Sequence, residues 1–285
     1  MFSRLQKFIV GILLLATTFI WYVIFSFHGG LLRVAMLDVG QGDAIFIETP
    51  SGKQMLIDGG YNGRVLSELG KIMPAYDKSI DVVIATHTDA DHLGGLVEVL
   101  KHYDVERIFT NGMTASTTVY ADWVGLIKEH GIVEDTILLG DRIVLGDGVE
   151  FDILGPWPED FAPRSKKANE SMIVGRLKYG AREFFLAGDL EKGDEIRLAL
   201  SKTELASDVL KVAHHGSANA STNLFLERVH PEIAVVSVGA NNRYGHPVLK
   251  TLERIKHIGA KLFRTDQDGM VIFETDGRDL RITRD

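Results

Sequence analysis

The sequence contains no cysteine among its 285 residues, and this absence removes several classes of site at once. A disulfide framework, a thiolate zinc site and a cysteine nucleophile are all excluded. Proline is scarce, with 7 residues against 29 glycines, so we expect many tight turns and no proline-rich linker. Any metal ion would have to be held by histidine, aspartate or glutamate side chains.

Positive charge is also in short supply. The 31 lysines and arginines are outnumbered by 39 aspartates and glutamates, and the formal net charge is −8. Because lysine and arginine dominate affinity for nucleic acid, a tight non-specific DNA-binding protein is disfavoured. An enzyme that binds a phosphate through metal ions remains compatible with this charge. The 45% hydrophobic and 25% charged residues are typical of a globular protein and exclude a disordered or polytopic membrane protein.

Charge is absent from the twenty residues 8–27, which have the sequence FIVGILLLATTFIWYVIFSF. A helix of about 20 apolar residues spans about 30 Å of hydrocarbon, so we predict a membrane anchor over residues 1–30 and a second domain over 31–285. No small-residue cleavage site follows, which favours an uncleaved anchor, and a buried core helix is the alternative. Since Arg4 and Lys7 precede the run, the positive-inside rule predicts a single-pass cell-membrane protein with an extracytoplasmic domain.

Short β-rich runs alternate with glycine turns and helical stretches over the rest of the chain. This alternation, in two similar halves, predicts a layered α/β body. Helices are predicted at about 64–73, 92–103, 117–131, 191–201, 222–229 and 247–258. Strands are predicted at about 31–38, 44–48, 54–58, 81–86, 149–154, 172–178, 183–187, 209–213, 233–238, 261–264, 270–274 and 279–283.

Potential metal ligands follow three of the predicted apolar strands. One capping aspartate would explain a single such residue, but it does not explain two histidines and two aspartates within six residues. Loops at strand ends commonly carry functional residues, so we predict that the three loops converge on a metal site. The residues concerned are His87, Asp89, Asp91 and His92 after the first strand, Asp189 after the second, and His214 and His215 after the third.

Seven motifs occur in an order that resembles the metallo-β-lactamase superfamily, and more closely the metallo-β-lactamase-like domain at the C-terminus of ComEC competence proteins. The resemblance extends from about residue 31 to the C-terminus. It implies an αββα sandwich, here preceded by one N-terminal transmembrane helix, with metal ions at one edge between the sheets. The motifs are LDVGQGDA (37–44), IDGG (57–60), THTDADHLGG (86–95), Asn-x-Ser (169–171), AGDLE (187–191), LKVAHHGS (210–217) and YGHP (244–247).

The resemblance also implies which residues form the site. The ligand positions of the family fall on His87, Asp89, Asp91, His92, Asp189 and His214. Asp189 would bridge two ions, and His214 is chosen over His215 because it directly follows the predicted strand. Catalytic roles are expected for Asp91, Asp189 and His246. Residues expected to orient a ligand or contact the substrate are Asp58, Asn169, Ser171, His215, Arg243 and Tyr244.

Two departures from the family pattern concern the metal. Asp89 stands where the HxHxDH motif has its second histidine, and the segment 169–171 stands where a third histidine is expected. Carboxylate and carbonyl oxygens suit manganese, while imidazole suits zinc. We therefore predict two divalent ions, either Zn²⁺ or Mn²⁺, with a preference for Mn²⁺ or one weakly held zinc.

The same resemblance implies a function. ComEC-like domains are thought to act as nucleases, so we expect hydrolysis of an anionic phosphodiester substrate, DNA being one candidate, by hydroxide formed from metal-bound water. A cell-envelope phosphoesterase similar to choline-phosphate esterases is one alternative, and a lactone or ester hydrolase is another. A non-catalytic, membrane-anchored binding module is the alternative from a different class.

Two polar segments allow a structural and a functional interpretation. Gln41 and Asp43 lie between two predicted strands, and a hairpin is an adequate explanation for Asp43, although both could belong to the rim of the site. In the segment 241–247, Arg243 is suited to a substrate phosphate and Tyr244 to a base or sugar, while a turn and helix cap is the structural alternative.

Overall fold

Two β-sheets lie face to face, with helices on the outer side of each. The computed structural model describes residues 3–27, 30–158 and 171–285. In these residues the helices are α1 (Arg4–Phe27), α2 (Arg64–Ile72), α3 (Ala90–His102), α4 (Thr118–His130), α5 (Lys192–Leu200), α6 (Asn223–Val229), α7 (Leu249–His257) and α8 (Thr265–Asp268). The strands are β1 (Leu32–Met36), β2 (Ile45–Glu48), β3 (Gln54–Ile57), β4 (Ser79–Ala85), β5 (Asp104–Thr110), β6 (Val133–Thr136), β7 (Arg142–Gly146), β8 (Val149–Gly155), β9 (Val174–Tyr179), β10 (Arg182–Leu186), β11 (Val209–Lys211), β12 (Ile233–Val236), β13 (Lys261–Arg264), β14 (Val271–Thr275) and β15 (Leu280–Arg284).

Each sheet contains a parallel portion built from strand–helix–strand units. The first sheet has the order β15-β14-β1-β2-β3-β4-β5-β6, and the second has the order β13-β12-β11-β10-β9-β8-β7. From β3 to β6 and from β10 to β13 all neighbouring strands are parallel, and one helix connects each pair. Parallel strands bring their carboxyl ends to one edge of the sheet, where ligands commonly bind.

Three apolar layers hold the sandwich together. Val34 and Met36 of β1 belong to the cluster between the two sheets, whereas Ala35 packs with the helices outside the first sheet. A third cluster lies between the second sheet and the helices α5 to α7. Strands buried on both faces have nearly continuous apolar sequences, which is why most were predicted from the sequence. The predicted αββα sandwich is confirmed.

Three strands were missed by the sequence analysis: β5, β6 and β7. In β5 the exposed residues Asp104, Glu106 and Arg107 interrupt the apolar pattern, although Val105 and Ile108 are buried. β6 is the last strand of its sheet, and all four of its residues are exposed. β7 is the last strand of the second sheet and alternates exposed with less exposed residues. Strands that are half exposed lack the apolar runs used for prediction.

The N-terminal helix α1 stands apart from the apolar clusters. Its window Arg4–Trp21 has a mean hydropathy of 1.4, and none of that window is buried inside the protein. By length and composition, α1 is a candidate membrane span. The alternative interpretation, a buried core helix, does not fit α1, because almost all of its side chains that the structure describes are exposed.

Direct backbone contact positions the first turn of α3, which carries two potential ligands. A Cβ added to Gly95 would lie 1.8 Å from the carbonyl oxygen of Gly59, and one added to Gly59 would lie 2.4 Å from the amide nitrogen of Leu96. The Gly95 amide donates to the carbonyl of Gly60 at 2.8 Å, and the Gly59 amide donates to the carbonyl of His92 at 2.8 Å. Only glycine allows the two backbones to come this close, which explains the glycine pairs 59–60 and 94–95 in the motifs IDGG and THTDADHLGG.

Replacing Gly95 should therefore be far more damaging than replacing a glycine with free space. We expect Gly95→Ala to lower the free energy of unfolding by about 3 kcal/mol, because backbone atoms cannot yield to the added methyl group. Gly125→Ala in α4 is the control: no atom lies within 4 Å of its added Cβ, so stability should rise by up to about 1 kcal/mol. Chemical denaturation of the full chain in detergent measures both, and equal stability of the two variants would contradict the contact.

A buried carboxylate joins α5 to the beginning of α6. Glu195 is fully buried and accepts hydrogen bonds from the backbone amides of Ser221 and Thr222, at 2.5 and 2.8 Å. Burial raises the pKa of Glu195 to about 7, and these hydrogen bonds oppose the rise only in part. Thr222 in turn caps α6 by accepting from the amide of Phe225.

The raised pKa of Glu195 predicts a pH-dependent stability. The folded protein holds this proton up to about pH 7, whereas the ordinary pKa of a glutamate side chain is 4.5. The stabilisation is therefore complete below pH 4.5 and is lost as the pH rises through 7. Relative to Glu195→Gln, the wild-type free energy of unfolding should fall by up to about 3 kcal/mol over this interval. A difference between the two proteins that does not vary with pH would refute the assignment.

Candidate metal centre

The ligand-rich loops after β4, β10 and β11 meet at one edge of the sandwich. The first loop comes from the first sheet, and the other two come from the second. His92 Nε2 lies 3.4 Å from Asp189 Oδ2, and His215 Nε2 lies 3.4 Å from Asp189 Oδ1. Asp189 is therefore the meeting point of side chains from both sheets. The predicted convergence of the three loops is what the structure shows.

The loop after β4 contributes two buried histidines whose rings are fixed from behind. His92 Nδ1 is 2.7 Å from Asp58 Oδ2, and His87 Nδ1 is 2.9 Å from Thr86 Oγ1. The Thr86 hydroxyl donates its single hydrogen to Asp58 Oδ2, so it accepts a hydrogen bond from His87 Nδ1. Both histidines thus carry a proton on Nδ1 and direct Nε2 into the cluster. Asp58 is held there with a positive φ of 58°.

Of the two adjacent histidines after β11, His215 is the one buried in the cluster. Its Nδ1 donates to the carbonyl of Ser237 at 2.8 Å, and its Nε2 lies 3.7 Å from Asp91 Oδ2. The His214 side chain is 25% exposed, and its Nε2 lies 3.8 Å from Asp189 Oδ2. The geometry thus favours His215 over the predicted His214. The strand ends at Lys211 and a tight turn with positive φ at both histidines follows, so distance along the chain does not decide which ring faces inward.

Several buried polar atoms in the cluster have no hydrogen-bond partner among the described residues. These atoms are Nε2 of His87, His92 and His215 and Oδ1 of Asp189. Each buried polar atom without a hydrogen-bond partner costs about 1–3 kcal/mol. Four such atoms in one cluster indicate that the cluster binds a cation. Ligand atoms that lie within 4.8 Å of one another form the groups Asp58/His87/His92, Asp91/His92/His215 and Asp43/Asp189/His215. This donor set fits a divalent metal ion.

The charges in the cluster depend strongly on one another. Burial disfavours the charge of His215, but Asp189 and Asp43 outweigh it and raise the pKa of His215 to about 9. The pKa of His92 is raised in the same way, by Asp189 and Asp58. Burial, together with the charge of His92, lowers the pKa of His87. In the absence of metal, protons on His92 and His215 therefore balance the carboxylates, and a divalent ion would replace them.

The sequence did not indicate Lys211 as part of the centre, and it indicated Asp43 only as a hairpin residue or a residue at the rim of the site. Asp43, for which a hairpin seemed an adequate explanation, is buried and forms an ion pair with Lys211. Lys211 is fully buried, donates to the carbonyl of Gly188 at 2.7 Å, and has its Nζ 3.7 Å from Asp189 Oδ1. The available signal was a lone lysine in an otherwise apolar strand, since a lysine is almost never fully buried unless it is paired.

The remaining predicted site residues lie around the cluster or outside the described residues. The His246 ring is 6.0 Å from that of His214, and burial followed by the charges of His214 and His215 lowers its pKa. Ser171 is buried, and its carbonyl accepts from Asn111 Nδ2 at 3.1 Å. Asp89 lies with Oδ2 3.7 Å from His87 Nε2 and is half exposed. Asn169 lies outside the described residues.

An open cavity of about 550 Å³ lies beside the cluster. Arg243 and Tyr244 line it, and Gln41 lines it from the loop after β1. Asp89 and Asp91 connect this cavity to the ligand cluster. The other lining residues are Tyr61, Ala90 and Asn242. Tyr61 was not singled out in the sequence.

Comparison with known proteins gives close relatives among competence proteins. ComE operon protein 3 of Bacillus subtilis is 32% identical over 263 residues, which cover 86% of this chain and 33% of that protein. Competence protein ComA of Neisseria gonorrhoeae is 29% identical over 245 residues, which cover 84% and 32%. The chain thus spans about a third of the length of these relatives. Exodeoxyribonuclease WalJ of Streptococcus pneumoniae is 24% identical over 119 residues, which cover 40% and 44%.

Solved structures and a family model agree with this comparison. The metallo-beta-lactamase fold protein YhfI of Bacillus subtilis matches with a TM-score of 0.58 and 12% identity, covering 86% of this chain and all of that one. Igni18, a metallo hydrolase from Ignicoccus hospitalis, matches with a TM-score of 0.55 and 17% identity, covering 85% and 99%. Both likenesses concern the fold. The family model described as metallo-beta-lactamase superfamily matches residues 37–240, and the chain therefore belongs to this superfamily.

Proposed function

We propose that the protein is a metal-dependent hydrolase that cleaves phosphodiester bonds, with DNA as the first candidate substrate. The observation that carries this proposal is the buried set of inward-facing imidazole and carboxylate atoms without hydrogen-bond partners. An open cavity with an arginine at its wall adjoins that set. The names of the competence and exodeoxyribonuclease relatives support DNA as the substrate.

We assign the ligands to two neighbouring positions for Zn²⁺ or Mn²⁺, with the carboxylate of Asp189 between them. His87 and Asp89 would serve one position, because His87 Nε2 and Asp89 Oδ2 are 3.7 Å apart. The other position would take Asp91, His92 and His215. Both oxygens of Asp189 lie near ligands of this second position, Oδ1 at 3.4 Å from His215 Nε2 and Oδ2 at 3.4 Å from His92 Nε2. The first position is its neighbour, because the His87 ring lies 4.1 Å from that of His92, and we propose that Asp189 would bridge the two. His214 is the alternative ligand, at 3.8 Å from Asp189 Oδ2.

The protein's own residues prepare this centre for hydrolysis. Divalent ions bound here would lower the pKa of a water molecule toward about 7 and neutralise charge on a phosphate. Asp58, Thr86 and the carbonyl of Ser237 hold the histidine tautomers that leave Nε2 free for coordination. His246 is mostly neutral at pH 7 because its pKa is lowered, and we propose that it contacts the substrate beside Tyr244.

We also propose that α1 anchors the protein in the cell membrane as a single span, with residues 31–285 forming the catalytic domain on the extracytoplasmic side. The helix is long and apolar enough for this role, and none of its most apolar window is buried in the protein. Arg4 and Lys7 at its N-terminal end support a cytoplasmic N-terminus.

The ligand assignment predicts different effects for the two adjacent histidines. His215→Ala should weaken binding of Mn²⁺ and Zn²⁺ by at least about tenfold, because it removes a buried donor in contact with Asp189 and Asp91. His214→Ala, which removes a partly exposed ring, should have a smaller effect. Isothermal titration of the full chain in detergent measures both affinities. A larger loss for His214→Ala would reverse the assignment.

The proposed function predicts metal-dependent cleavage that requires Asp189. Asp189→Asn keeps the size of the side chain but removes its charge, and we expect at least about a 100-fold loss of activity, since even residues that only orient ligands typically cost 10- to 100-fold. Asp122→Asn, on the exposed side of α4, is the matched control and should be fully active. The substrates are labelled single- and double-stranded DNA, bis(p-nitrophenyl) phosphate and a lactone, each with Mn²⁺ or Zn²⁺.

Each alternative gives a different outcome in this assay. Cleavage of the small diester but not of DNA would indicate a cell-envelope phosphoesterase. Turnover of the lactone alone would indicate an ester hydrolase. A chain that binds at most one metal ion weakly and cleaves nothing would indicate a non-catalytic binding module.

A further inference from the structure

Two exposed tyrosines from different sheets line the cavity beside the metal centre. Tyr61 follows β3 of the first sheet, and Tyr244 follows β12 of the second. Tyr61 is 61% exposed and Tyr244 is 49% exposed. Large aromatic side chains left open to water at a cavity are suited to contact an aromatic ligand.

Contacts within the second loop hold Tyr244 in place. The Arg243 guanidinium lies over the Tyr244 ring at 4.9 Å from its centroid, and Arg243 Nη2 donates to the Tyr244 hydroxyl at 2.8 Å. The His246 ring stacks on Tyr244 at 5.9 Å with an angle of 18° between the planes. Asn242 fixes the loop, because its Oδ1 accepts from the amides of Tyr244 and His246. The side chains of Arg243, Tyr244 and His246 thus contact one another in a fixed arrangement that includes the planar, cationic guanidinium of Arg243. We call this set of three side chains the Arg243 tier.

The size and charge of the cavity restrict what it can hold. Its volume of about 550 Å³ is within the range of pockets for small ligands, about 300–1,000 Å³. Asp89 and Asp91 belong to the ligand cluster and also line the cavity, so a phosphate held at the cluster would have its attached nucleoside beside the cavity. In a duplex the faces of the bases are covered by their neighbours, whereas an unpaired base can stack on an aromatic ring or on a guanidinium.

We propose that this cavity binds an unpaired nucleobase adjacent to the phosphodiester that is cleaved, with Tyr61 and the Arg243 tier as its stacking contacts. This inference rests on the proposed function and makes the substrate class specific: single-stranded rather than duplex nucleic acid. Tyr61 and Tyr244 are then residues that determine specificity through the base. The ligand cluster contacts the phosphate only.

Binding of short oligonucleotides tests the proposal without relying on turnover. The full chain in detergent, with Mn²⁺, is titrated with a fluorescein-labelled phosphorothioate oligothymidylate and with the same backbone carrying abasic residues. We expect Tyr61→Ala and Tyr244→Ala each to weaken binding of the base-bearing strand by about 5- to 100-fold, the range typical of stacking on one base. Binding of the abasic strand should change less than twofold. Quenching of a single 2-aminopurine in the strand should report the stacking directly and should be lost in both variants.

Matched variants separate stacking from other effects. Tyr61→Phe keeps the ring and should bind like the wild type. Tyr76 is 83% exposed and precedes β4, at the opposite end of that strand from the ligands. The Tyr76→Ala variant should therefore also bind normally. Equal weakening of base-bearing and abasic strands, or equal affinity of the wild type for single-stranded and duplex DNA, would overturn the proposal. If oligonucleotides bind as expected but no diester is cleaved, the proposed function fails while the base site stands.

Discussion

Negative charge buried where the two sheets meet constrains the rest of the molecule. Asp43, Asp58 and Asp189 are each at most 4% exposed, and a buried carboxylate without compensation costs several kcal/mol. Imidazoles from loops of both sheets and the ammonium group of Lys211 compensate this negative charge. The sheets are thus held in register at this edge by charge as well as by apolar packing. Elsewhere in the sandwich, an apolar cluster fills the space between them.

The ligand loops reach this edge because of the parallel portions of the two sheets. β4 and its neighbours end at the same edge, and so do β10 and β11. The contact between Gly59 and Gly95 then sets the height of α3 above the first sheet, and with it the positions of Asp91 and His92. The geometry of the candidate metal centre consequently depends on the backbone spacing between a loop and a helix as well as on the side chains of the cluster.

Most of the fold could be predicted from the sequence, because strands buried on both faces have apolar runs that glycine turns delimit. The interior strands β1 to β4 and β9 to β12 were recognised in this way. The charged or exposed residues of β5 to β7 hid those strands. β5 and β6 pair with neighbours that lie beyond a helix in the sequence, whereas β7 pairs with β8 in a hairpin. The motifs located the ligand loops for a similar reason: polar residues directly after apolar strands are conspicuous.

The orientation of individual side chains could not be predicted. His214 and His215 are adjacent and both have a positive φ, and His215 is the one whose ring reaches the carbonyl of Ser237 and the carboxylate of Asp189. Lys211 and Asp43 lie far apart in sequence and form one ion pair only after the two sheets meet. Tyr61 borders the cavity because the loop after β3 packs against α3. No local sequence pattern predicts this packing. Tertiary contacts determined each of these positions.

The pairing of β1 with β14 has a consequence for how the chain reaches this structure. Leu32 lies opposite Thr275, so the strand that follows α1 finds one of its two neighbours only near the far end of the chain. During synthesis from the N-terminus, one edge of β1 therefore stays open until β14 has been made. Contacts of such long sequence separation form slowly, and an open strand edge invites pairing with other chains. If a helix held the beginning of the chain at a surface, fewer other chains could pair with the open edge of β1 before β14 is made.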